Sequence, residues 1–432
     1  MQQTENKSGK NTSRKEKIIY SVLSIIAAIT LFLAGFFIRP FFYDETTKEI
    51  LEIIRLTKEN YDGEIVVSDG AYGKSFADAF LDDYSDFYTE EEYRYVLEQG
   101  LGKNIGIGVS FLRDDEEAVI FSVEGNSPAF KAGMVKGETI ISAEKGGETT
   151  NLKNKEEVLA FLSSIREGET ISLTTTAKDG VTNKTYQVTK EKYEKNYVYY
   201  FDSEYKYYFE KTYGEGEWTA TRVINDGADG IVGLPSNVGY IYFESFEGDV
   251  ELQLEQAFNV FEERGKTKLI LDLRDNGGGY IETLNAVTPY FINTEIDNPL
   301  IASAKYKDGS EINFYGKGKK FFSGIEDIAV IANSYSASAT ECMLGAMLYY
   351  GSIDKSDLVI QQDANGKQTT YGKGVMQSHV YLSTGAVLKL TVAHVYQPDG
   401  VTCINGTGIS TIPENVAVSA GNALEKAINC LN

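Results

Sequence analysis

The chain of 432 residues holds two histidines and three cysteines. So small a supply weakens several chemistries at once. Cys342, Cys403 and Cys430 are sparse and odd in number, so they set up no disulfide framework, although one bridge stays open in an oxidising compartment. With His379 and His394 they form no zinc-ligand spacing, so neither a metal site nor any other cofactor is expected. Neither a G-x-G-x-x-G fingerprint nor a P-loop lysine is present, which argues against nucleotide chemistry. Basic charge is also short: 41 Lys and Arg face 63 Asp and Glu, for a net charge of −22. A nucleic-acid partner would need a basic stripe and is not expected. No internal repeat or low-complexity tract is evident.

The basic charge that is present collects at the start. Residues 1–17 carry Lys7, Lys10, Arg14, Lys15 and Lys17 against Glu5 and Glu16, a net of +3 that leaves −25 on the rest. Residues 18–38 follow as 21 consecutive uncharged, mostly apolar positions, enough to cross a bilayer as a helix. Gly35-Phe36-Phe37-Ile38-Arg39-Pro40 offers no Ala-x-Ala site, so an uncleaved anchor is expected rather than a signal peptide. The basic flank then puts the N-terminus in the cytoplasm and residues 39–432 outside, as a single-pass protein of the cell membrane.

The remaining length suits two or three domains. Residues 44–103 read as a helical cap. Glu49, Leu51, Ile54 and Leu56 open an amphipathic run, residues 75–83 form a second, and Thr89 caps a third with Glu90, Glu91 and Glu92 in its first turn. Residues 104–193 change character, with strands expected at 104–111, 118–123, 170–176 and 185–188. Ser127-Pro128-Ala129 opens a short helix that stops at Gly133, and residues 156–165 make a longer one. Residues 194–235 are tyrosine-rich and irregular, and read as a connector with some β structure. Residues 236–425 alternate strands (238–243, 268–273, 327–332) with helices (250–264, 280–292, 339–350), then turn to strands at 358–361, 374–382 and 388–396. The expected fold class is therefore mixed α/β and multidomain, with crossover units in the last domain.

Three segments there carry residues for acyl transfer by a serine. Leu271-Asp272-Leu273-Arg274-Asp275-Asn276-Gly277-Gly278-Gly279 ends a buried strand in a glycine turn. Amides of such a turn, Gly278 with the Ala339 N–H, can form an oxyanion hole; a hairpin turn or a phosphate loop are the plainer uses. Ser336-Ala337-Ser338-Ala339-Thr340-Glu341 places Ser338 at a helix start, where it is equally a nucleophile or one half of a capping box with Glu341. Tyr371-Gly372-Lys373-Gly374-Val375-Met376-Gln377 sets Lys373 between glycines. As a base it must lose its proton, so burial has to pull its pKa below about 10.4. Strand alternation aligns Gln377 and His379 with Lys373, which keeps a Ser–His arrangement through His379 open. Cys342, one turn beyond Ser338, reads as core.

In this combination the chain resembles the carboxyl-terminal-processing, or tail-specific, protease family, Ser/Lys peptidases with an embedded PDZ domain. The resemblance runs over roughly residues 45–425. It includes Leu81-Asp82-Asp83-Tyr84-Ser85, Ser127-Pro128-Ala129 with Ala132-Gly133, the three segments above, and Gln397-Pro398-Asp399-Gly400. It implies Ser338 as nucleophile, Lys373 as base and Gln377 as its support. It also implies that residues 104–193 are a PDZ domain whose Gly106, Ile107 and Gly108 receive a chain-terminal carboxylate. Residues 236–425 would be the protease core. Partners would be proteins or peptides with free C-termini and the membrane through the N-terminal helix, with room for a homo-oligomer. The chain departs from the family at Gly277, where proline is usual, at Tyr349, where an aspartate is frequent, and in a longer stretch between Ser338 and Lys373. A receptor that binds tails through the PDZ domain without cleaving them is the alternative.

Overall fold

The structure, a computed structural model, describes residues 44–60, 70–111, 116–227, 229–411 and 418–431. The expected cytoplasmic tail 1–17 and membrane helix 18–38 lie outside them. Among the described residues no helix is long and apolar enough to cross a membrane. The chain divides after Ala71 into two compact units. The first is described through helix α1 (Glu45–Asn60).

The second unit opens with α2 (Ala71–Phe80), strand β1 (Asp86–Tyr88) and α3 (Glu90–Gly100). Thr89 caps α3 as the sequence predicts, and Glu92 answers it by accepting the Thr89 N–H at 2.8 Å. The expected purely helical cap is corrected by β1, which pairs antiparallel with a strand three hundred residues later: Phe87 faces Leu388.

Next come β2 (Lys103–Gly106), β3 (Val109–Phe111), β4 (Ile120–Val123), the short α4 (Pro128–Lys131), β5 (Thr139–Lys145) and β6 (Glu148–Asn151). They continue with α5 (Lys155–Ser164), β7 (Thr170–Thr176), β8 (Asn183–Thr189) and β9 (Glu191–Glu194). β6-β5-β7-β8 form one antiparallel sheet, while β2 pairs with β9 and β3 with β4. Ile107, Ile120, Val158, Ile171 and Leu173 make a separate small core inside this segment. Such a core of its own is what lets a module of this size hold its shape.

The expected connector is not a linker. Residues 194–235 supply β10 (Val198–Phe201), β11 (Tyr205–Thr212) and β12 (Glu215–Ile224), three antiparallel strands of the main sheet. The tyrosines that looked irregular alternate faces: Tyr200 and Phe209 are fully buried, and Tyr207 nearly so. β13 (Val238–Phe243), helix α6 (Val250–Glu263), β14 (Lys268–Asp272) and helix α7 (Ile281–Val287) follow. After these come β15 (Leu300–Tyr306), β16 (Glu311–Tyr315), β17 (Asp327–Ala332), helix α8 (Ala339–Tyr349) and β18 (Leu358–Ile360). The chain closes with β19 (Val375–Tyr381), β20 (Val387–Tyr396) and helix α9 (Ala423–Cys430).

The main sheet has the order β12-β11-β10-β13-β14-β17-β18, and its last four strands are parallel. A second sheet joins β1-β20-β15-β16, with β19 on the free side of β20. The buried parallel strands read as continuous apolar runs, as Leu269-Ile270-Leu271 does, because both faces are covered. Helix α8 is buried from Ala339 to Met347, and its residues share one core with strands of both sheets. A helix enclosed on all sides needs no polar face, which explains its apolar sequence beyond Glu341.

Candidate active site

The C-terminal end of β14 makes the first wall. After Asp272 the chain turns, and Asn276, fully buried, ties the turn down. Its Nδ2 donates to Phe243 O at 2.9 Å, and its Oδ1 accepts from Gly278 N at 3.0 Å and from Thr340 Oγ1 at 2.8 Å. The Ala337 N–H donates to Asn276 O at 3.0 Å, so the same residue holds the segment that carries Ser338. Gly278, at φ +98°, lies directly on that serine: a Cβ there would stand 2.9 Å from both the Ser338 Cβ and the Ala339 N. Only glycine fits so close a crossing.

Part of the expected oxyanion hole changes as a result. The Gly278 N–H is already engaged by Asn276, in an Asx turn within its own loop. What Gly278 contributes is the missing side chain. The Ala339 N–H stands at the first position of α8, where helix amides favour negative charge.

Ser338 itself is held at φ 59° and ψ −116°. Among the described residues the only other non-glycines at positive φ are Asn126 and Asp275, and Asp275 belongs to the facing turn. Two of the three strained positions therefore sit here. A side chain in that region costs on the order of 1–3 kcal/mol and persists only where its surroundings fix it. The fixing group is Glu341. Ser338 and Glu341 keep the capping-box arrangement, and its well-formed half is the Ser338 N–H donating to Glu341 Oε2 at 3.0 Å.

Glu341 also reaches the lysine segment. The same Oε2 accepts from Lys373 N at 2.9 Å, while Oε1 accepts from Gly372 N at 2.8 Å and from the Thr370 hydroxyl. One fully buried carboxylate thus receives four donors and brings the backbones of Ser338 and Lys373 to a single oxygen atom. Burial holds its carboxyl above the usual carboxylate range, and the four donors oppose that rise. Gln397 Nε2 donates to Glu341 O at 3.3 Å, and Gly345 leaves the space this glutamine occupies. Glu341 is part of the serine motif, but nothing near it in the sequence marks this role. Its place at the third helical position signals only the cap, and its other partners lie some thirty residues on.

The glycines around Lys373 have a steric reason. A Cβ on Gly374 would meet Asn405 N at 2.5 Å, and one on Gly372, at φ +91°, would meet Gly408 N at 2.9 Å. The Lys373 ammonium lies 5.1 Å from the centre of the Tyr84 ring. Its pKa is lowered, first by burial and then by Lys389, while Asp82 and Glu341 pull the other way. Among the described residues it makes no ion pair. A lysine so placed gives up its proton more readily than one in water.

Gln377 is turned to a different partner, its Nε2 donating to Thr391 Oγ1 at 3.1 Å beside a register shift between β19 and β20. His379 sits further out on β19, exposed and packed against the Tyr93 ring at 5.1 Å between centres. His394 is on β20 opposite Val375. Cys342 is buried with its thiol pushed up to about 12, the state of a core residue. The long stretch after α8 ends in an exposed turn at 364–367, held by Lys367 N–H to Asp363 Oδ1 at 2.8 Å. In the β2–β9 segment, Gly106 ends β2 opposite Glu191, the Ile107 O accepts from Ala129 N at 2.8 Å, and Gly108 at φ +79° packs under Ser127.

Residues 237–411, which contain the glycine turn, Ser338, Glu341 and Lys373, match the model of peptidase family S41. Over that region the chain is similar to peptidase family S41. A Staphylococcus aureus protein described as a "Probable CtpA-like serine protease" is 26% identical over 328 residues, covering 76% of this chain and 56% of that protein. A Staphylococcus haemolyticus protein of the same description is 24% identical over 334 residues with the same coverage. The chain thus spans little more than half the length of these curated relatives. Among solved structures, the photosystem II D1 C-terminal processing protease is similar at 19% identity and a TM-score of 0.44, over 88% of this chain and 90% of that one.

Proposed function

We propose that the chain is a membrane-anchored serine endopeptidase of the C-terminal-processing type, with Ser338 as nucleophile and Lys373 as base. The observation that carries this reading is the Glu341 carboxylate, which takes the N–H groups of both residues on one oxygen. Lys373, as the neutral amine, takes the Ser338 hydroxyl proton while Oγ attacks the scissile carbonyl. The Ala339 N–H, at the positive end of α8, stabilises the oxyanion. The ammonium of Lys373 then gives its proton to the departing amine, leaving an acyl group on Ser338. Water then attacks that ester with Lys373 taking its proton, the C–O bond to Ser338 breaks, and Lys373 returns the proton to Oγ as the new C-terminal carboxyl leaves. The chemistry asks for no metal.

The reading continues to the segment between β2 and β9 as a PDZ domain that captures substrate C-termini. β3 pairs with β4 on one edge only among the described residues, which leaves an edge for an added peptide strand. Val109 and Phe111 of β3 share a cluster with Val158, Phe161 and Leu162 of α5, the makings of an apolar groove. The anchor rests on residues 18–38 and their basic flank.

Two experiments test the reading. Incubating the full chain with an unfolded protein should give cleavage that Ser338→Ala and Lys373→Ala each abolish without unfolding the protein. Full cleavage by either variant defeats the dyad. A peptide with a free apolar C-terminus should bind more tightly than its amide, and Gly106→Pro, which removes an amide donor, should erase the difference. Equal binding of acid and amide by the parent chain removes tail recognition.

A further inference from the structure

The loop between α2 and β1 reaches the lysine from outside the family-matched region. Asp82 closes it, accepting the Ser85 N–H on Oδ1 at 2.9 Å. Ser85 Oγ accepts the Thr391 N–H of β20 at 3.0 Å, and Thr391 Oγ1 is the partner of Gln377. β1 then zips onto β20 through Asp86–Lys389 to Tyr88–Val387. Thus anchored on both sides, Tyr84 lays its ring over the Lys373 ammonium at 5.1 Å, while its edge meets the ring of Tyr371 at 6.5 Å.

We propose that Tyr84 is a positioning residue for Lys373, its ring fixing the amine and shutting water from one side of it. This rests on Lys373 being the base proposed above. The charged and titratable groups that face the amine are few. Lys389 of β20 disfavours its charged form, while Asp82 of the loop and Glu341 of α8 favour it. Burial, and after it Tyr371, Asp83 and Glu341, push the Tyr84 hydroxyl up to about 12, so it is neutral throughout the working range. The ring attracts a cation, but water solvates an ammonium better than a ring face does. Removing the ring therefore admits the stronger solvent and restores the charged form. The segment 82–88 becomes a working part of the site, although the sequence places it among cap helices.

The test measures the ionisation of Lys373 directly. The folded full chain is labelled with trace acetic anhydride across a pH series, and modification of Lys373 is read by mass spectrometry against surface lysines of the same sample. In Tyr84→Ala the Lys373 midpoint should rise by about half a pH unit or more. Tyr84→Phe, which keeps the ring, should leave it within about 0.2 unit. The rising limb of kcat/KM should move with the midpoint. If Tyr84→Ala fails to fold, Tyr84→Ser, which also opens that side of the amine to water, carries the test in the same direction. An unchanged midpoint in a folded variant without the ring overturns the proposal, as does a shift in Tyr84→Phe equal to that of Tyr84→Ala. A rate loss uniform at every pH marks a merely structural residue and also overturns it. Because the labelling needs no turnover, it stays readable if Ser338→Ala and Lys373→Ala still cleave, an outcome that defeats the dyad instead.

Discussion

Glu341 offers the sharpest perturbation of the site. Its two oxygens serve two donors each: Oε1 takes Gly372 N at 2.8 Å and the Thr370 hydroxyl, and Oε2 takes Ser338 N at 3.0 Å and Lys373 N at 2.9 Å. Glutamine has one acceptor oxygen, so Glu341→Gln must turn an NH2 group toward one pair. Toward Ser338 and Lys373 it would orphan two amides. Toward Thr370 it orphans Gly372 N and takes the acceptor from the Thr370 hydroxyl, whose oxygen already receives Ile409 N at 2.7 Å and can receive the NH2 group as well. This second orientation spares both backbone amides of the site, so Ser338 and Lys373 keep their shared acceptor. The displaced donors together with the loss of charge on the remaining bonds cost on the order of 2–4 kcal/mol. Alanine orphans all four donors and removes the link between the segments, a loss of about 4 kcal/mol or more. Urea unfolding should show the midpoint falling in the order parent, Gln, Ala, at nearly constant slope. Cleavage of an unfolded substrate should fall less than about tenfold in Glu341→Gln and about 100-fold or more in Glu341→Ala, corresponding to a displaced nucleophile. A Glu341→Ala protein as stable and active as the parent would refute the idea that this carboxylate joins the two segments.

Gly278→Ala puts a methyl 2.9 Å from Ser338 Cβ at φ +98°, so turnover should drop by at least about tenfold in steady-state assays while the rest of the sheet stays folded. Activity should rise with pH along a limb set by deprotonation of Lys373, below the ordinary lysine value of 10.5. The same lowered pKa makes the folded chain bind fewer protons than the unfolded one, so the share of stability tied to Lys373 should increase with pH between its folded value and 10.5, and Lys373→Met should flatten that slope in pH-dependent melting. His379→Ala should keep most activity, because the ring is exposed on β19 against Tyr93; a rate limb that vanishes in this variant would reassign the base.

Local patterns made the parallel core readable. The apolar runs of β13, β14 and β17 and the cap of α8 are set by residues within a few positions of one another, and their bounds agree with the sequence to within a residue or two. Pairing across long separations left no such trace. Asp86–Tyr88 is too short to signal a strand and becomes one only because Val387–Lys389 lies beside it. The tyrosine strands β10–β12 hid because an aromatic with a hydroxyl suits both faces of a sheet, so alternation between inside and outside leaves little contrast in composition. At the site, residue types pointed to Ser338 and Lys373, but not to the donors they would spend. That the Gly278 amide belongs to Asn276, that Gln377 turns to Thr391, and that Tyr84 covers the lysine are facts of three-dimensional contact.

The most direct measurement is of the covalent intermediate. The full chain would be mixed with an activated peptide ester, quenched in acid within the first turnover, digested and read by mass spectrometry. The acyl mass should appear on Ser338, at near-stoichiometric yield when deacylation is slow. It should be absent from Ser338→Ala and form far more slowly in Lys373→Ala. Turnover with no adduct on Ser338, or with the acyl group on another residue such as Cys342, would contradict the account.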